Sequence, residues 1–415
     1  MSVTHAQVTA WPWPTGTTGS PAIEQRICTK GSPGAARPTS SLPRITILTA
    51  NVGGGHRAAS RSLTEALEGK ARVTQISMID EQAPFPLNTW GATYAPWVNY
   101  TPWLYRMVYR FGESRERVVA TQKAVYPLLK KYVSTLIHPE QTDLFISVHP
   151  LQIEIPLWYM EDIGQRVPFM TVVTDPVTAP LAWFCPDVDL CVVATEPAYQ
   201  TGLSCGFDPG RLKLIGLPIR QAFGRMQGRD KQDMRARLGL APKKPLILMS
   251  GGGAGIGRIV PMARALAKQL VQQERDVQMA VIAGRNKELY RRLKRQKWPV
   301  PVHVLGFVDN MAEWMAACDL LLTKAGPGML AEAACLGVPV VITDFVPGQE
   351  IGNVSWVVKN GAGIYEHETE GIAALVSELL RPGNPTLEMM GAQAKAMARP
   401  DASAEIVGEA LRLTK

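Results

Sequence analysis

Residues 44–67 are RITILTANVGGGHRAASRSLTEAL, and they predict a strand, a glycine-rich turn and an amphipathic helix in succession. The run from Ile45 to Thr49 is short and rich in β-branched residues, which is typical of a buried strand. Three glycines let the backbone turn sharply after it, and the helix that follows presents its N-terminus to that turn. A strand, a turn and a helix in this order form the repeating unit of a parallel α/β sheet.

The same alternation continues along the chain, with ten further aliphatic or β-branched runs separated by helical patterns. They are 72–78, 143–148, 168–173, 189–193 and 212–215 in the first half, and 245–249, 277–283, 300–305, 319–322 and 338–342 in the second. We therefore expect an α/β fold of two doubly wound domains that face each other, with a cleft at the carboxyl ends of their strands.

Composition divides the chain into five segments. Residues 1–43 are rich in Pro, Ser, Thr and Gly without periodicity, so we expect a disordered tail, with an organelle transit peptide as the alternative. The two domains are expected at 44–216 and 245–385, joined by a charged, proline-containing linker at 217–244. Residues 386–415 are expected to add C-terminal helices.

Composition and charge also narrow the class of protein. The excess of 44 Lys and Arg over 36 Asp and Glu gives a net charge of +8, which favours anionic partners such as a lipid surface or a nucleotide diphosphate. The basic residues are spread out, which does not favour nucleic-acid binding. Six widely spaced cysteines without a CxxC pair favour a reducing compartment. No apolar run reaches the length of about 18 residues that a spanning helix needs, so membrane contact is expected at the surface.

The first candidate site is the turn at Gly54, Gly55 and His56, between the first strand and its helix. A histidine at a helix N-terminus is kept neutral near pH 7 and can accept a proton from an attacking hydroxyl. His56 is therefore the candidate general base. The alternative is a tight turn whose histidine only caps the helix.

The second candidate site is SGGGAGIG at 250–257, whose backbone N–H groups can bind a diphosphate. It matches neither GxGxxG nor the GK[ST] of a P-loop, so it does not predict a dinucleotide or P-loop site. The alternative is a flexible turn.

The third candidate site is TKAGPGMLAE at 323–332, followed by PGQEIGN at 347–353. A glycine-proline turn that opens a helix offers further free amides for phosphate, and Glu332 is expected on the first helical turn, where it can bind both ribose hydroxyls. Gln349, Glu350 and Asn353 at the next helix start can bind sugar hydroxyls. The alternative is an ordinary first-turn acid followed by a polar loop.

A membrane-facing segment is predicted between Phe85 and Phe111, where amphipathic aromatic residues and arginines alternate. Its predicted membrane contacts are Trp90, Trp97, Tyr100, Trp103, Arg106 and Arg110. The alternative is an aromatic subdomain packed on the first sheet.

The sequence resembles the monogalactosyldiacylglycerol synthases, and more distantly the diacylglycerol glucosyltransferases and the lipid II-forming N-acetylglucosaminyltransferase. The strings that carry the resemblance are GGGHRAAS, SVHPLQ, GLPIR, AGRN, LGFVDNM, ACDLLLTKAGPGMLAEAACLGVPVVI and PGQEIGNVSWVVKNGAG. The resemblance implies a GT-B fold of two facing Rossmann-like domains, with the lipid acceptor in the first and the UDP-sugar in the second. It implies inverting transfer of galactose from UDP-galactose to the sn-3 hydroxyl of 1,2-diacylglycerol, with UDP-glucose as the alternative donor.

The resemblance also assigns roles to individual residues. It implies that His56 is the general base, that Gly54, Gly55, His149 and Asp175 lie on the acceptor side, and that the donor is bound by Arg220, Gly252, Gly253, Val308, Gly328, Met329, Glu332, Gln349, Glu350 and Asn353. Ala254 and Pro180 depart from residues common in related sequences, which leaves the donor hexose and part of the acceptor pocket open.

Neither a metal nor another cofactor is expected. Asp187-Val188-Asp189 has the DxD form of metal-dependent transferases, but it precedes a strand in the acceptor half, away from the phosphate loops. The expected location is peripheral on the bacterial cytoplasmic membrane, with the plastid envelope as the alternative. A UDP-sugar epimerase and a non-catalytic lipid-binding or nucleotide-binding protein are the rival functions, and the sequence leaves the oligomeric state open.

Overall fold

The computed structural model describes residues 42–50, 54–79, 83–85, 87–89, 101, 107, 110, 112–255 and 257–415. Most of the predicted N-terminal tail, residues 1–41, therefore lies outside the described residues. The described chain from Leu42 to Lys415 belongs to one compact unit, which contains two parallel β-sheets.

The N-terminal lobe contains a six-stranded parallel sheet of order β2-β1-β3-β4-β5-β6. Its strands are β1 Arg44–Thr49, β2 Arg72–Ser77, β3 Leu144–Ser147, β4 Phe169–Val172, β5 Leu190–Val193 and β6 Leu212–Leu214. The helices of this part are α1 Gly55–Leu67, α2 Arg115–Val133, α3 Glu154–Asp162 and α4 Glu196–Ser204. Strands β1, β3, β4 and β5 are almost wholly buried because helices cover both faces, which explains their continuous apolar runs.

The C-terminal lobe contains a second six-stranded parallel sheet, of order β12-β11-β10-β7-β8-β9. Its strands are β7 Leu246–Ser250, β8 Gln278–Ile282, β9 Val302–Leu305, β10 Leu320–Lys324, β11 Val340–Asp344 and β12 Gly363–Tyr365. The helices from the end of the first lobe onward are α5 Gln221–Met226, α6 Lys231–Arg237, α7 Ile259–Gln272, α8 Lys287–Lys294, α9 Met311–Ala317, α10 Pro327–Leu336, α11 Ile351–Lys359, α12 Thr369–Leu379, α13 Thr386–Met397 and α14 Ala402–Leu413.

The predicted α/β class with two Rossmann-like sheets is confirmed. Each of the eleven predicted strands is present with its ends shifted by at most two residues. Strand β12 was not predicted because it has three residues and begins with a glycine. A side chain at Gly363 would meet the carbonyl oxygen of Val340 at 2.7 Å, so this edge strand requires a glycine.

The segment predicted as a linker, residues 217–244, is largely part of the second lobe. Phe223, Met234 and Leu240 are buried in the same cluster as residues of α9 and α10. The last helix, α14, packs instead on the first lobe, where Ile406 joins the cluster around β1. The chain therefore crosses between the lobes twice.

The carboxyl ends of both sheets border the seam between the lobes. Helix α1, which follows β1, contacts α10 and α5. The Thr178 hydroxyl donates to the Gln349 carbonyl oxygen at 2.6 Å, from the loop after β4 to the start of α11. Among the described residues, no helix has both the length and the apolar character to cross a bilayer.

Candidate active site

His56 lies in the first turn of α1 and is half-buried. Its Nδ1 is 2.8 Å from the Val148 carbonyl oxygen, which can only accept a hydrogen bond. We therefore assign the proton of the neutral ring to Nδ1. The Thr174 hydroxyl oxygen lies 3.0 Å from the same nitrogen. The lone pair of the neutral ring is consequently on Nε2, where a general base needs it.

The surroundings of His56 favour that neutral form. Burial lowers the pKa of His56, and this effect exceeds the opposing effects of the Asp175 charge and the hydrogen bond to Val148. An imidazole with a lowered pKa stays unprotonated at neutral pH and can accept a proton.

His149 follows β3 and stands beside His56, with ring centroids 4.6 Å apart and ring planes at 62°. Its Nδ1 accepts from the backbone N–H of Leu151 at 3.2 Å, so its neutral ring carries the proton on Nε2. Burial lowers the pKa of His149 well below the usual value, and proximity to His56 lowers it further. The two rings are therefore neutral and have opposite tautomers.

Asp175 is buried in the loop after β4 and connects the two lobes. Its Oδ2 accepts from Trp183 Nε1 at 2.8 Å, and its Oδ1 accepts from Gln349 Nε2 at 3.0 Å. The structure thus joins Asp175, which was predicted on the acceptor side, to Gln349, which was predicted to bind the hexose of the donor. Trp183, whose ring centroid is 6.2 Å from that of His56, was not predicted to belong to the site.

Glycine turns on both lobes leave room for a ligand. Side chains placed at Gly54, Gly55 and Gly328 would meet nothing within 4 Å, so space is open on both sides of the seam. Gly252 has φ +75°, a conformation that a side chain would strain. Gly253 lies beside Arg285, whose guanidinium stacks on Phe307 at 4.1 Å from the ring centroid. Arg285 and Phe307 were not predicted, although AGRN and LGFVDNM include them.

Arg220 and Glu332 form an ion pair at the same seam. The guanidinium donates to Glu332 Oε1 from Nη2 at 3.3 Å and from Nε at 3.4 Å. Burial raises the pKa of Glu332 to about 7, although Arg220 opposes the shift. The prediction that Glu332 lies on the first turn of its helix was wrong. The helix begins at Pro327, which places Glu332 in the second turn.

Lys324 and Glu350 form a second ion pair, between Nζ and Oε1 at 2.5 Å. Oε2 of Glu350 accepts from the backbone N–H of Val346 at 2.9 Å. Lys324 was not predicted to be a site residue, although it ends a strand within the most specific motif.

The remaining predicted donor ligands have different surroundings. Asn353 is buried, its Nδ2 donates to the Ala325 carbonyl oxygen at 3.0 Å, and its Oδ1 has no hydrogen-bond partner among the described residues. Met329 lies on α10, and Val308 lies in the loop after β9; both are partly buried against the core of the second lobe. The contact of Val308 with uracil stays a prediction.

Comparison with known proteins identifies the family. Residues 56–219 match the family described as monogalactosyldiacylglycerol (MGDG) synthase, and residues 246–406 match the glycosyltransferase family 28 C-terminal domain. The MGDG synthase of Spinacia oleracea, a protein named chloroplastic, is 36% identical over 88% of this chain and 72% of its own. MGDG synthase 2 of Arabidopsis thaliana, also named chloroplastic, is 34% identical over 88% of this chain and 79% of its own. The chain belongs to the monogalactosyldiacylglycerol synthase family.

The fold of this MGDG synthase family member is shared with other GT-B proteins. The MurG structure from Acinetobacter baumannii has a TM-score of 0.58 and 15% identity, over 90% of this chain and 100% of that one. A putative UDP-N-acetylglucosamine 2-epimerase from Listeria monocytogenes has a TM-score of 0.56 and 14% identity, over 88% and 95%. The fold alone therefore does not separate a transferase from an epimerase. Membership of the sequence family identifies this chain as a glycosyltransferase.

The predicted membrane contacts of this MGDG synthase family member mostly lie outside the described residues. These are Trp90, Trp97, Tyr100, Trp103 and Arg106. Arg110 is described and exposed. The described part of the same lobe also exposes Leu128 of α2, which is 82% accessible and lies near Lys130 and Lys131.

The DxD motif of this MGDG synthase family member lies at the amino end of β5, opposite the edge that carries His56. Asp189 Oδ2 accepts from the Phe169 N–H at 2.7 Å and from Arg166 at 3.0 Å. The acidic and thiol ligand atoms of Glu154, Cys185 and Asp187 lie within 4.8 Å of one another. Arg115 donates to Glu154 Oε1 there at 2.6 Å, so a guanidinium already neutralises part of this cluster.

Proposed function

We propose that this glycosyltransferase moves galactose from UDP-galactose to the sn-3 hydroxyl of 1,2-diacylglycerol, with His56 as the general base. The observation that carries the proposal is the Nδ1 bond to Val148, which leaves the basic lone pair of His56 on Nε2. Family membership supports the acceptor class, because the relatives are named as MGDG synthases.

The reaction is a single displacement. The acceptor oxygen attacks the anomeric carbon while its proton passes to Nε2 of His56. The electron pair of the broken carbon–oxygen bond leaves with UDP, and the anomeric configuration inverts. No enzyme nucleophile is needed for such a displacement.

The leaving UDP gains negative charge, which the donor lobe is built to stabilise. The amides of the Gly252–Gly253 turn, the N-terminus of α10 and the Arg220 guanidinium are the groups that we assign to it. Glu332 is assigned to the ribose, and Gln349, Glu350 and Asn353 to the hexose. Val308, Gly328 and Met329 are assigned to the uracil contact and the second phosphate turn. We propose that no metal takes part, and EDTA should leave the rate of transfer unchanged.

Asp175 is the residue that we propose to couple acceptor and donor. Its hydrogen bond to Gln349 spans the seam, and its charge acts on His56. His149 is assigned to the acceptor side together with Gly54 and Gly55, beside the base.

We further propose that the protein works at an anionic membrane surface facing a reducing compartment. The exposed Leu128 supports this, because an apolar side chain suits a lipid headgroup boundary when exposed lysines follow it on the same helix. Here they are Lys131 and Lys130, the latter paired with Asp162. The plant relatives are named chloroplastic, which supports the plastid alternative and gives no support to the bacterial membrane that the sequence favoured.

Product analysis tests the proposal. Purified protein is mixed with diacylglycerol vesicles and either UDP-galactose or UDP-glucose, and the glycolipid is identified with its anomeric configuration. A β-galactolipid formed preferentially from UDP-galactose is the expected result. Preferential use of UDP-glucose would make the protein a glucosyltransferase, and an epimerised sugar nucleotide without glycolipid would contradict the transfer itself.

A further inference from the structure

Lys324 occupies the position between the two glycine turns of the donor lobe. It is the last residue of β10, and the pairing of β10 with β11 shifts register between Thr323 and Lys324. An irregularity of this kind turns a side chain away from the ordinary alternation of a strand. The side chain therefore has a direction that the sequence pattern could not predict.

The Lys324 side chain lies close to both glycine turns. A side-chain carbon built at Gly326 would lie 3.1 Å from Lys324 Nζ, and one built at Gly252 would lie 4.0 Å from Lys324 Cε. The lysine thus touches the space beside both sets of backbone amides that we assign to the diphosphate. A side chain at Gly326 would crowd the ammonium group, whereas one at Gly252 would only contact the lysine stem at an ordinary distance.

Two of the cations near these turns are paired with carboxylates in the structure. Arg220 is paired with Glu332, and Lys324 is paired with Glu350. Both carboxylates are buried, and the proposed function assigns both to neutral hydroxyl groups of the donor rather than to its phosphates.

Glu350 can release Lys324 without losing all its partners. Its second oxygen is held by the Val346 N–H, so the carboxylate keeps its place when the ammonium group moves. A buried carboxylate held in this way can then accept from a sugar hydroxyl.

We infer that Lys324 is a further donor-binding residue, which moves from Glu350 to a phosphate oxygen of the nucleoside diphosphate when the donor binds. This inference rests on the proposed function, because it assumes a UDP-sugar donor. Lys324 and Arg220 then face the charge that develops on the leaving UDP, while Glu350 turns to the hexose.

Calorimetric binding of UDP and of uridine separates this role from a structural one. Lys324→Met should weaken UDP binding roughly ten- to hundredfold, the range for one lost charge-assisted hydrogen bond, and leave uridine binding unchanged. The UDP affinity of Lys324→Arg should fall between those of the wild type and Lys324→Met. Lys244→Met, which removes an ion pair with Asp276 elsewhere in the lobe, is the matched control and should bind UDP as the wild type does.

Glu350→Gln gives an independent test, since UDP has no hexose for Glu350 to bind. Removing the competing carboxylate should tighten UDP binding severalfold. Equal UDP affinity for the Lys324→Met and Lys244→Met variants would overturn the inference, as would a parallel loss of UDP and uridine binding. Absence of UDP binding in the wild type would overturn the proposed donor as well, so the two failures are distinguishable.

Discussion

Asp175 Oδ1 accepts a hydrogen bond from Gln349 Nε2 at 3.0 Å, and this bond joins the lobe that carries His56, the proposed base, to the lobe that carries the proposed donor site. Burial lowers the pKa of His56, and the charge of the same carboxylate partly offsets this by raising it. One buried acid therefore influences both the position of the donor loop and the protonation of the base.

Replacing Asp175 by Asn should move the acid limb of kcat/KM to lower pH. Transfer needs neutral His56, so activity is lost as the pH falls through the pKa of His56. Without the nearby negative charge the imidazolium is less favoured and this pKa falls further. Profiles that run downward from about pH 6.5, the ordinary value for a histidine, measure the limb. Asp187→Asn, which changes an exposed acid of the same lobe, is the control and should leave the acid limb in place. A shift of the limb to higher pH in Asp175→Asn would refute the proposed effect of Asp175 on His56.

Replacing Glu332 by Gln should weaken UDP binding about tenfold and reduce the preference for UDP over 2′-deoxy-UDP. The carboxylate can accept from both ribose hydroxyls, whereas the amide has one oxygen and places a donor where the second acceptor stood. Competition binding with the two nucleotides measures the preference. If the variant kept the full wild-type preference, the ribose would have to be bound elsewhere.

Replacing Gly352 by Ala should destabilise the seam between the lobes. The added carbon would lie 2.7 Å from Thr178 Cγ2 and 2.9 Å from Val177 Cγ1, and Thr178 is held by its bond to the Gln349 carbonyl. We expect a loss of about 1–3 kcal/mol in the free energy of unfolding and a lower kcat. Gly408→Ala in α14, where nothing lies within 4 Å, is the control and should not destabilise the protein. Denaturant unfolding compares the two variants, and equal stabilities would show that the seam has room.

Replacing Leu128 by Glu should reduce binding to anionic vesicles severalfold, because it puts a charge into an apolar contact beside two lysines. Met389→Glu is a matched control, since Met389 is 65% exposed on the other lobe and should not affect vesicle binding. Cosedimentation measures both variants. An equal loss of vesicle binding in both variants would mean that the first lobe has no special role at the membrane.

The sequence predicted the fold better than the contacts of the site. Most of the eleven predicted strands were predictable because buried parallel strands are continuous apolar runs. Strand β12 was not, because three residues beginning with a glycine carry too little pattern. The linker at 217–244 was predicted from the charge of the segment as a whole. That average did not indicate that Phe223 and Met234 are core residues.

The residue types of the candidate site were predictable, but their partners were not. The bond between His56 and Val148 joins residues 92 positions apart, and it depends on the pairing of β1 with β3. Lys324 was missed because its direction depends on a register shift between two strands. Glu332 was placed one turn too early because the glycine-proline turn was taken to precede the helix, whereas Pro327 is the first helical residue.

The most direct test compares the transfer rates of the wild type and His56→Gln with UDP-galactose and diacylglycerol vesicles, alongside UDP binding by both proteins. His138→Gln, which changes a partly exposed histidine of the same lobe, is the control. Loss of a general base predicts a fall in kcat of about 10²–10⁴, with UDP affinity and the control unchanged. A His56→Gln variant that forms glycolipid within a few fold of the wild-type rate would contradict the account.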